Sequence, residues 1–420
     1  MSRVLLQALL RPKGWRFAAE GLLQYCWFLA APAGAAYRKT LLRRTRVVAI
    51  VGSFGKTTTA RAVRQVLGIR GTWADRRNSW SFVPANLLIS KPSTKYLAVE
   101  VGIDGQGQMA KYARILRPDI TVATSVGTEH RRNLKSLEIT RAEKAAMVAA
   151  LPPCGLAILN GDDPNVLWMK EQTRARTLLV GLHEGNDLRA TAIQDGRLNG
   201  TEFYLEHQGR QTPFFTRLIG SHQLSAILSA IAVGLEEGIP LETIRESISE
   251  LESTPGRLQV VTLDNGATLL RDDFKSGYET VVSALATLGS LPAQKKIVLM
   301  GDVSEPPGVQ GAIYRDIGAR IAEVADTCLV VANDTNRRKY QSGAKQAGRP
   351  SCSFLCYGRN VLDTMRALQA IIGPGDLVLI KGRDTQRLER IALGLQGRKI
   401  RCSRIYCGLH GIYCQDCPML

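Results

Sequence analysis

Short runs of aliphatic and β-branched residues recur along the chain, and amphipathic stretches follow them: VVAIVG precedes KTTTARAVRQVLG, and YLAVEVG precedes GQMAKYARIL. This alternation predicts parallel strands flanked by helices. DITVATSVG, GLAILNGDD and TLLVGL continue the series, and each ends in or near Gly, Asp or Asn, where a ligand-facing loop would leave a strand. Between residues 190 and 215 the texture changes to short alternating pieces. The turn signals Asp195-Gly196 and Asn199-Gly200 there predict an antiparallel insertion or edge. A helical pattern returns over 221–235. Beyond the breaker Ser253-Thr254-Pro255-Gly256 a second α/β unit is expected, with strands QVVTL, ATLLRD, KIVLMGD, TCLVVAND and DLVLIKG and helices near 278–288, 312–324 and 360–372.

A chain of 420 residues, 45% hydrophobic, is long enough for two or three domains with real cores. Its 55 Lys and Arg against 37 Asp and Glu give a formal charge of +18, which favours an anionic partner such as a nucleotide, a polycarboxylate or an anionic membrane. Nucleic acid is not expected, because no zinc-finger or RNP-like motif and no basic stripe interleaved with aromatics is present.

VVAIVG running into Gly52-Ser53-Phe54-Gly55-Lys56-Thr57-Thr58 and then a helical pattern carries the strongest chemical signal. Gly52 and Gly55 admit phosphate oxygens to backbone N–H groups, Lys56 offsets phosphate charge, and Thr57 or Thr58 offers a hydroxyl to magnesium. The spacing is a shortened GxxGK[T] form. An accidental Gly-rich turn before a helix is the competing reading. The expected fold is α/β: a central P-loop-type ATPase domain with a mainly parallel sheet (47–253), then a Rossmann-like α/β domain (254–395). A basic, apolar segment (1–46) precedes them, and a Cys-rich tail (396–420) follows.

Together with later blocks, this turn resembles the Mur ligase family. YLAVEVG with Glu100 is similar to the family's strand ending in a magnesium-binding glutamate. TSVGTEH with His130, then SLEITRAEK with Lys144, resembles the block holding a histidine and a lysine that is often carbamylated. AILNGDDP with Asn160, Asp162 and Asp163, GSHQLSAILSAIAVG with His222 and Gln223, STPGRL with Arg257, LLRDDF with Asp272 and Asp273, VLMGDV with Asp302, and LIKGRDTQRLE with Lys381 and Glu389 are similar to the remaining blocks. The resemblance implies ATP and Mg2+ as cofactors, with Lys56, Glu100, His130 and Lys144 catalytic and Thr57, Glu100 and Lys144 on the metal. It also implies nucleotide contacts from Gly52, Gly55, Lys56, Thr57, Thr58, Asn160, Arg257 and Asp273. Taken alone, Glu100 reads equally as a solvated strand end, His130 as a surface or capping histidine, and Lys144 as a solvated helix lysine. Asn160, Asp162 and Asp163 read as a strand end and helix cap.

The expected activity is ATP-dependent amide or peptide bond formation through an acyl phosphate, joining small-molecule amine and carboxylate substrates in cell-wall chemistry. The alternatives are a nucleotide-binding scaffold or degenerate ligase, or a ligase on a polyglutamate or lipid-linked acceptor. The family's separate UDP-gripping domain is expected to be absent. Two blocks depart from the family: DDFKSGYE replaces its asparagine-rich loop, and NSWSFVPAN (78–86) stands where it has another asparagine block.

Two flanking features stand apart. The apolar run at 21–36 sits between basic clusters (Arg11, Lys13, Arg16 and Arg38, Lys39, Arg43, Arg44, Arg46), which fits an interfacial helix, with membrane contact through 11–46, or an ordinary docking helix. The expected location is cytoplasmic, at the inner face of the membrane. In the tail, Cys402, Cys407, Cys414 and Cys417 enclose His410. They fit a zinc site, reduced cysteines, or a disulfide under oxidation.

Overall fold

A computed structural model describes residues 26–76, 78, 80–128, 131–348, 352–408, 413–417 and 419–420. The chain divides into two compact units. The first holds residues 1–194, 202–217 and 221–251, and the second holds 195–201, 218–220 and 252–420.

The first unit is built on eight strands: β1 (Arg46–Val51), β2 (Tyr96–Glu100), β3 (Ile120–Ala123), β4 (Leu156–Asn160), β5 (Arg176–Gly181), β6 (Leu188–Gln194), β7 (Thr201–His207) and β8 (Arg210–Thr216). Their order across the sheet is β2-β1-β3-β4-β5-β6-β7-β8. Pairing is parallel from β2 through β6, and β6 meets β7 antiparallel. The expected change of texture is therefore real. Its tight turn, however, is Gln208-Gly209, both residues at positive φ, rather than either Gly dipeptide upstream. Strand β1 is central: Val47 to Val51 are wholly buried, as a parallel strand covered on both faces requires.

The helix Trp27–Thr40 lies against this unit. Trp27, Ala31, Ala35 and Tyr37 pack on its core, and Gly34 lets the helix approach Pro84 so closely that a Cβ would stand 2.9 Å from the proline side chain. Arg38, read from sequence as part of a basic flank, is buried instead. Its guanidinium donates to the carbonyls of Leu116 (3.0 Å), Thr45 (3.1 Å), Arg117 (3.0 Å) and Leu42, and to Asp119 at 2.9 Å. The described half of the N-terminal segment is thus a docking helix. Among the described residues no helix is long and apolar enough to cross a membrane.

The second unit carries β9 (Gln259–Thr262), β10 (Thr268–Asp272), β11 (Lys296–Met300), β12 (Thr327–Val330), β13 (Ser353–Cys356) and β14 (Leu377–Lys381). They are arranged β13-β12-β11-β14-β10-β9, all parallel except the β9 edge, and apolar cores cover both faces. Among the elements that escape the sequence pattern are β13 and the helix Asp334–Gln346. That helix is strongly polar and touches its neighbour Gln310–Val324 through glycines. A Cβ at Gly343 would lie 1.8 Å from the Arg315 carbonyl, and one at Gly318 would lie 2.0 Å from that of Tyr340. The signal there was backbone proximity, which an apolar stripe does not encode.

Candidate phosphate and metal site

In the first unit the site grows from the carboxyl end of β1. Gly52 has φ 147°, and a Cβ there would stand 2.0 Å from Thr124 Oγ1, so only glycine fits the turn. Gly55, at φ 82°, caps the helix Lys56–Val66, whose first-turn N–H groups and dipole suit an anion. The end of β3 pins the loop from the other side. Ser53 N donates to Ser125 O (2.8 Å), Phe54 N to Ser125 Oγ (2.8 Å), and Thr124 Oγ1 to Phe54 O (2.6 Å). Gly127 N donates to Ser53 Oγ at 2.8 Å. Ser53, Thr124 and Ser125 are the loop builders that the phosphate motif alone does not name.

Two lysines converge on this turn. Lys56 Nζ donates to Gly52 O (2.7 Å) and Ser53 O (2.9 Å). Lys144, from the helix Leu137–Ala149, donates to the same Gly52 O at 2.9 Å across 92 residues of sequence. Both are buried, so the solvated-lysine reading of Lys144 fails.

Glu100 ends β2, which pairs with β1 so that Ile50 faces Glu100 two residues before Gly52. Asn78 Nδ2 donates to Glu100 Oε1 at 2.6 Å. Thr57 and Glu100 are half-buried. A hydroxyl and a carboxylate beside a phosphate cradle fit magnesium, which takes few protein oxygens and completes its shell from phosphate and water. Lys144 is unmodified here and becomes an oxygen donor only if carbamylated.

Beyond these, Asn160 Nδ2 donates to Thr124 O (2.9 Å), tying β4 to the loop's support. Asp163 caps the helix Pro164–Leu167 and accepts from Val126 N at 2.8 Å. Asp162 accepts from Leu182 N (2.6 Å) and His183 N (3.1 Å). His222 and Gln223 form a single 3-10 turn leading into the helix Leu224–Glu236. His130 lies outside the described residues.

In the second unit Arg257 stacks over Phe274, 4.8 Å from the ring centroid. Asp273 is buried against Arg271 (3.1 and 3.4 Å), and burial pushes its carboxyl up to about 6 despite that guanidinium. Lys381 pairs with Asp272 at 2.7 Å.

The tail folds onto this unit. Cys414 N donates to Glu389 Oε2 (2.7 Å), and Tyr406 Oη to Asp302 Oδ2 (3.2 Å). Burial pushes the Cys414 thiol far above its ordinary value. Among the described residues no group of three or more His, Cys, Asp or Glu side chains is disposed to hold a metal ion. His410 lies outside them, and the zinc reading goes no further.

The family model of the Mur ligase middle domain matches residues 50–234, and that of the Mur ligase glutamate ligase domain matches 256–383. The chain belongs to the Mur ligase family. It is similar to the UDP-N-acetylmuramoyl-tripeptide--D-alanyl-D-alanine ligases of Bacillus subtilis (26% identical, covering 84% of this chain and 76% of the relative) and Escherichia coli K12 (26%, 84% and 77%). Its fold matches MurF from Acinetobacter baumannii (TM-score 0.76, 21% identity, 89% of this chain and 81% of that one). It also matches MurF from Thermotoga maritima in complex with ADP (0.76, 19%, 88% and 83%). As a Mur ligase it is an ATP-dependent, amide-forming enzyme.

Proposed function

We propose that this Mur ligase turns a peptide-bearing carboxylate into an acyl phosphate at the Gly52–Thr58 turn and passes the acyl group to an amine. A carboxylate oxygen attacks the γ-phosphorus of ATP, and the bond to the β-bridging oxygen breaks to release ADP. The amine then attacks the acyl carbon, inorganic phosphate leaves, and the amine gives up a proton. Both partners in the first step are anions, so positive charge must lower their repulsion.

Lys56 and the first turn of its helix hold the phosphates, and Thr57 and Thr58 offer hydroxyls beside them. Thr57, Glu100 and a carbamylated Lys144 would hold magnesium, which supplies charge neutralisation at the transferring phosphoryl group. His130 is a further candidate catalytic residue. Gly52, Gly55 and Asn160 shape the nucleotide pocket in the first unit, and Arg257 and Asp273 are kept as candidate nucleotide contacts within the second. The observation that carries the reading is the convergence of Lys56 and Lys144 on Gly52 O, with Glu100 on the adjoining strand.

The names of the relatives make a muramoyl tripeptide and D-alanyl-D-alanine the first substrate pair to test, followed by glutamyl and lipid-linked acceptors. ADP and phosphate release is expected only when both a carboxylate and an amine are supplied. Turnover indifferent to every pair, or unchanged in Lys56→Ala, would remove the proposal.

A further inference from the structure

Asn78 lies in the short segment between the 3-10 turn Trp73–Arg76 and the helix Phe82–Leu88, and no regular element holds it. It is nevertheless fastened at three points. Its carbonyl accepts from Gly102 N at 2.6 Å. Two residues on, Trp80 N donates to the buried Tyr112 hydroxyl at 2.9 Å. Its side-chain amide donates to Glu100 Oε1 at 2.6 Å.

Gly102 makes room for this arrangement. A Cβ there would stand 2.5 Å from Asn78 Oδ1, 2.7 Å from Cγ and 2.9 Å from Nδ2, so a side chain at 102 and the amide in its place exclude each other. The backbone bond to Gly102 is enough to tether the segment. The amide adds something different: a neutral donor that fixes one oxygen, and hence the plane, of the carboxylate ending β2.

We infer that Asn78 is a positioning residue for the metal-binding carboxylate of Glu100, holding it in one orientation for a divalent cation. This rests on the assignment of Glu100 to the metal. A carboxylate at a strand end otherwise samples several rotamers, and ordering it costs free energy at the moment the ion binds. Partners that orient a metal-binding carboxylate typically contribute ten- to a hundredfold to metal affinity.

The experiment is Mn2+ titration, followed by its paramagnetic signal, of the full chain in the presence of a non-hydrolysable ATP analogue. Wild type, Glu100→Ala, Asn78→Ala, Asn78→Asp and Gly102→Ala are compared, together with metal-free thermal unfolding. Asn78→Ala and Gly102→Ala are expected to weaken Mn2+ by about tenfold while the analogue still binds. Asn78→Asp keeps the shape but replaces the donor with a second carboxylate. It is expected to depart from Asn78→Ala, with tighter Mn2+ binding from the added charge. Wild-type Mn2+ affinity in Asn78→Ala, with Glu100→Ala impaired, overturns the inference alone. Wild-type affinity in Glu100→Ala overturns the metal assignment beneath it. If Asn78→Ala fails to fold, Gly102→Ala decides: wild-type affinity there, with Glu100→Ala impaired, overturns the inference.

Discussion

Each unit gathers buried cations at the carboxyl ends of its parallel strands, but the cations meet different partners. In the first unit the hydrogen bonds described for Lys56 and Lys144 end on peptide carbonyls of the phosphate turn. In the second, Lys381 faces Asp272 at 2.7 Å, and Arg271 faces Asp273 at 3.1 Å and Glu389 at 3.5 Å. The turn carbonyls bring no net charge of their own to those lysines. A lysine on a buried carboxylate has its charge cancelled, and removing either partner strands the other. Breaking a carboxylate pair of the second unit is therefore expected to cost more than breaking a lysine–carbonyl bond of the first.

The largest expected effect tests the second half of this contrast. Lys381→Met leaves Asp272 buried beside a hydrocarbon and is expected to cost about 3–5 kcal/mol of unfolding free energy in denaturant titration. Adding Asp272→Asn is expected to restore a substantial part of it. A single variant as stable as wild type would show the pair to be dispensable.

The pH dependence of the second unit comes next. Burial raises the carboxyl of Asp273 to about 6, so the folded state holds that proton more tightly than the unfolded chain, whose carboxyl titrates near 3.8. The resulting stability is fully present below pH 3.8 and is lost as pH rises through about 6. The difference in unfolding free energy between wild type and Asp273→Asn is expected to fall by roughly 1 kcal/mol per pH unit across that window, then level off. A flat difference would place the proton elsewhere in the Arg271–Asp273–Glu389 cluster.

Smaller in stability is Lys144→Met, whose described hydrogen bond ends on the neutral Gly52 O. A net change of about 1 kcal/mol is expected, with ligase turnover nevertheless abolished. A loss like that of Lys381→Met, with turnover retained, would reverse the roles of the two units.

How much of this could be read from the sequence follows from how local each signal is. The phosphate turn, β1 and its helix are contiguous, so one stretch of chain states the whole device. Lys144 stands 92 residues from Gly52, and only the resemblance of SLEITRAEK to a family block marked it. The bond from Asn78 to Glu100 crosses 22 residues, and the sequence marks 78–86 only as a block that departs from the family, with nothing to pair it with the end of β2. Arg38 misled for a similar reason: a basic residue beside an apolar run looks solvated until the carbonyls of Leu116 and Arg117 arrive from another helix's end. The helix Asp334–Gln346 was hidden because it packs backbone to backbone through Gly343, with Tyr340 and Ala344 as its buried apolar contacts.

The most direct test of the central claim is calorimetric titration of ADP with Mg2+ into the wild type and Lys56→Ala, with denaturant stability measured on the same samples. A variant that folds like wild type but loses nucleotide affinity by at least about a hundredfold, as expected when a buried charge-assisted contact to phosphate is removed, is the predicted result. Nucleotide binding unchanged in Lys56→Ala would contradict the assignment of the Gly52–Thr58 turn as the phosphate site.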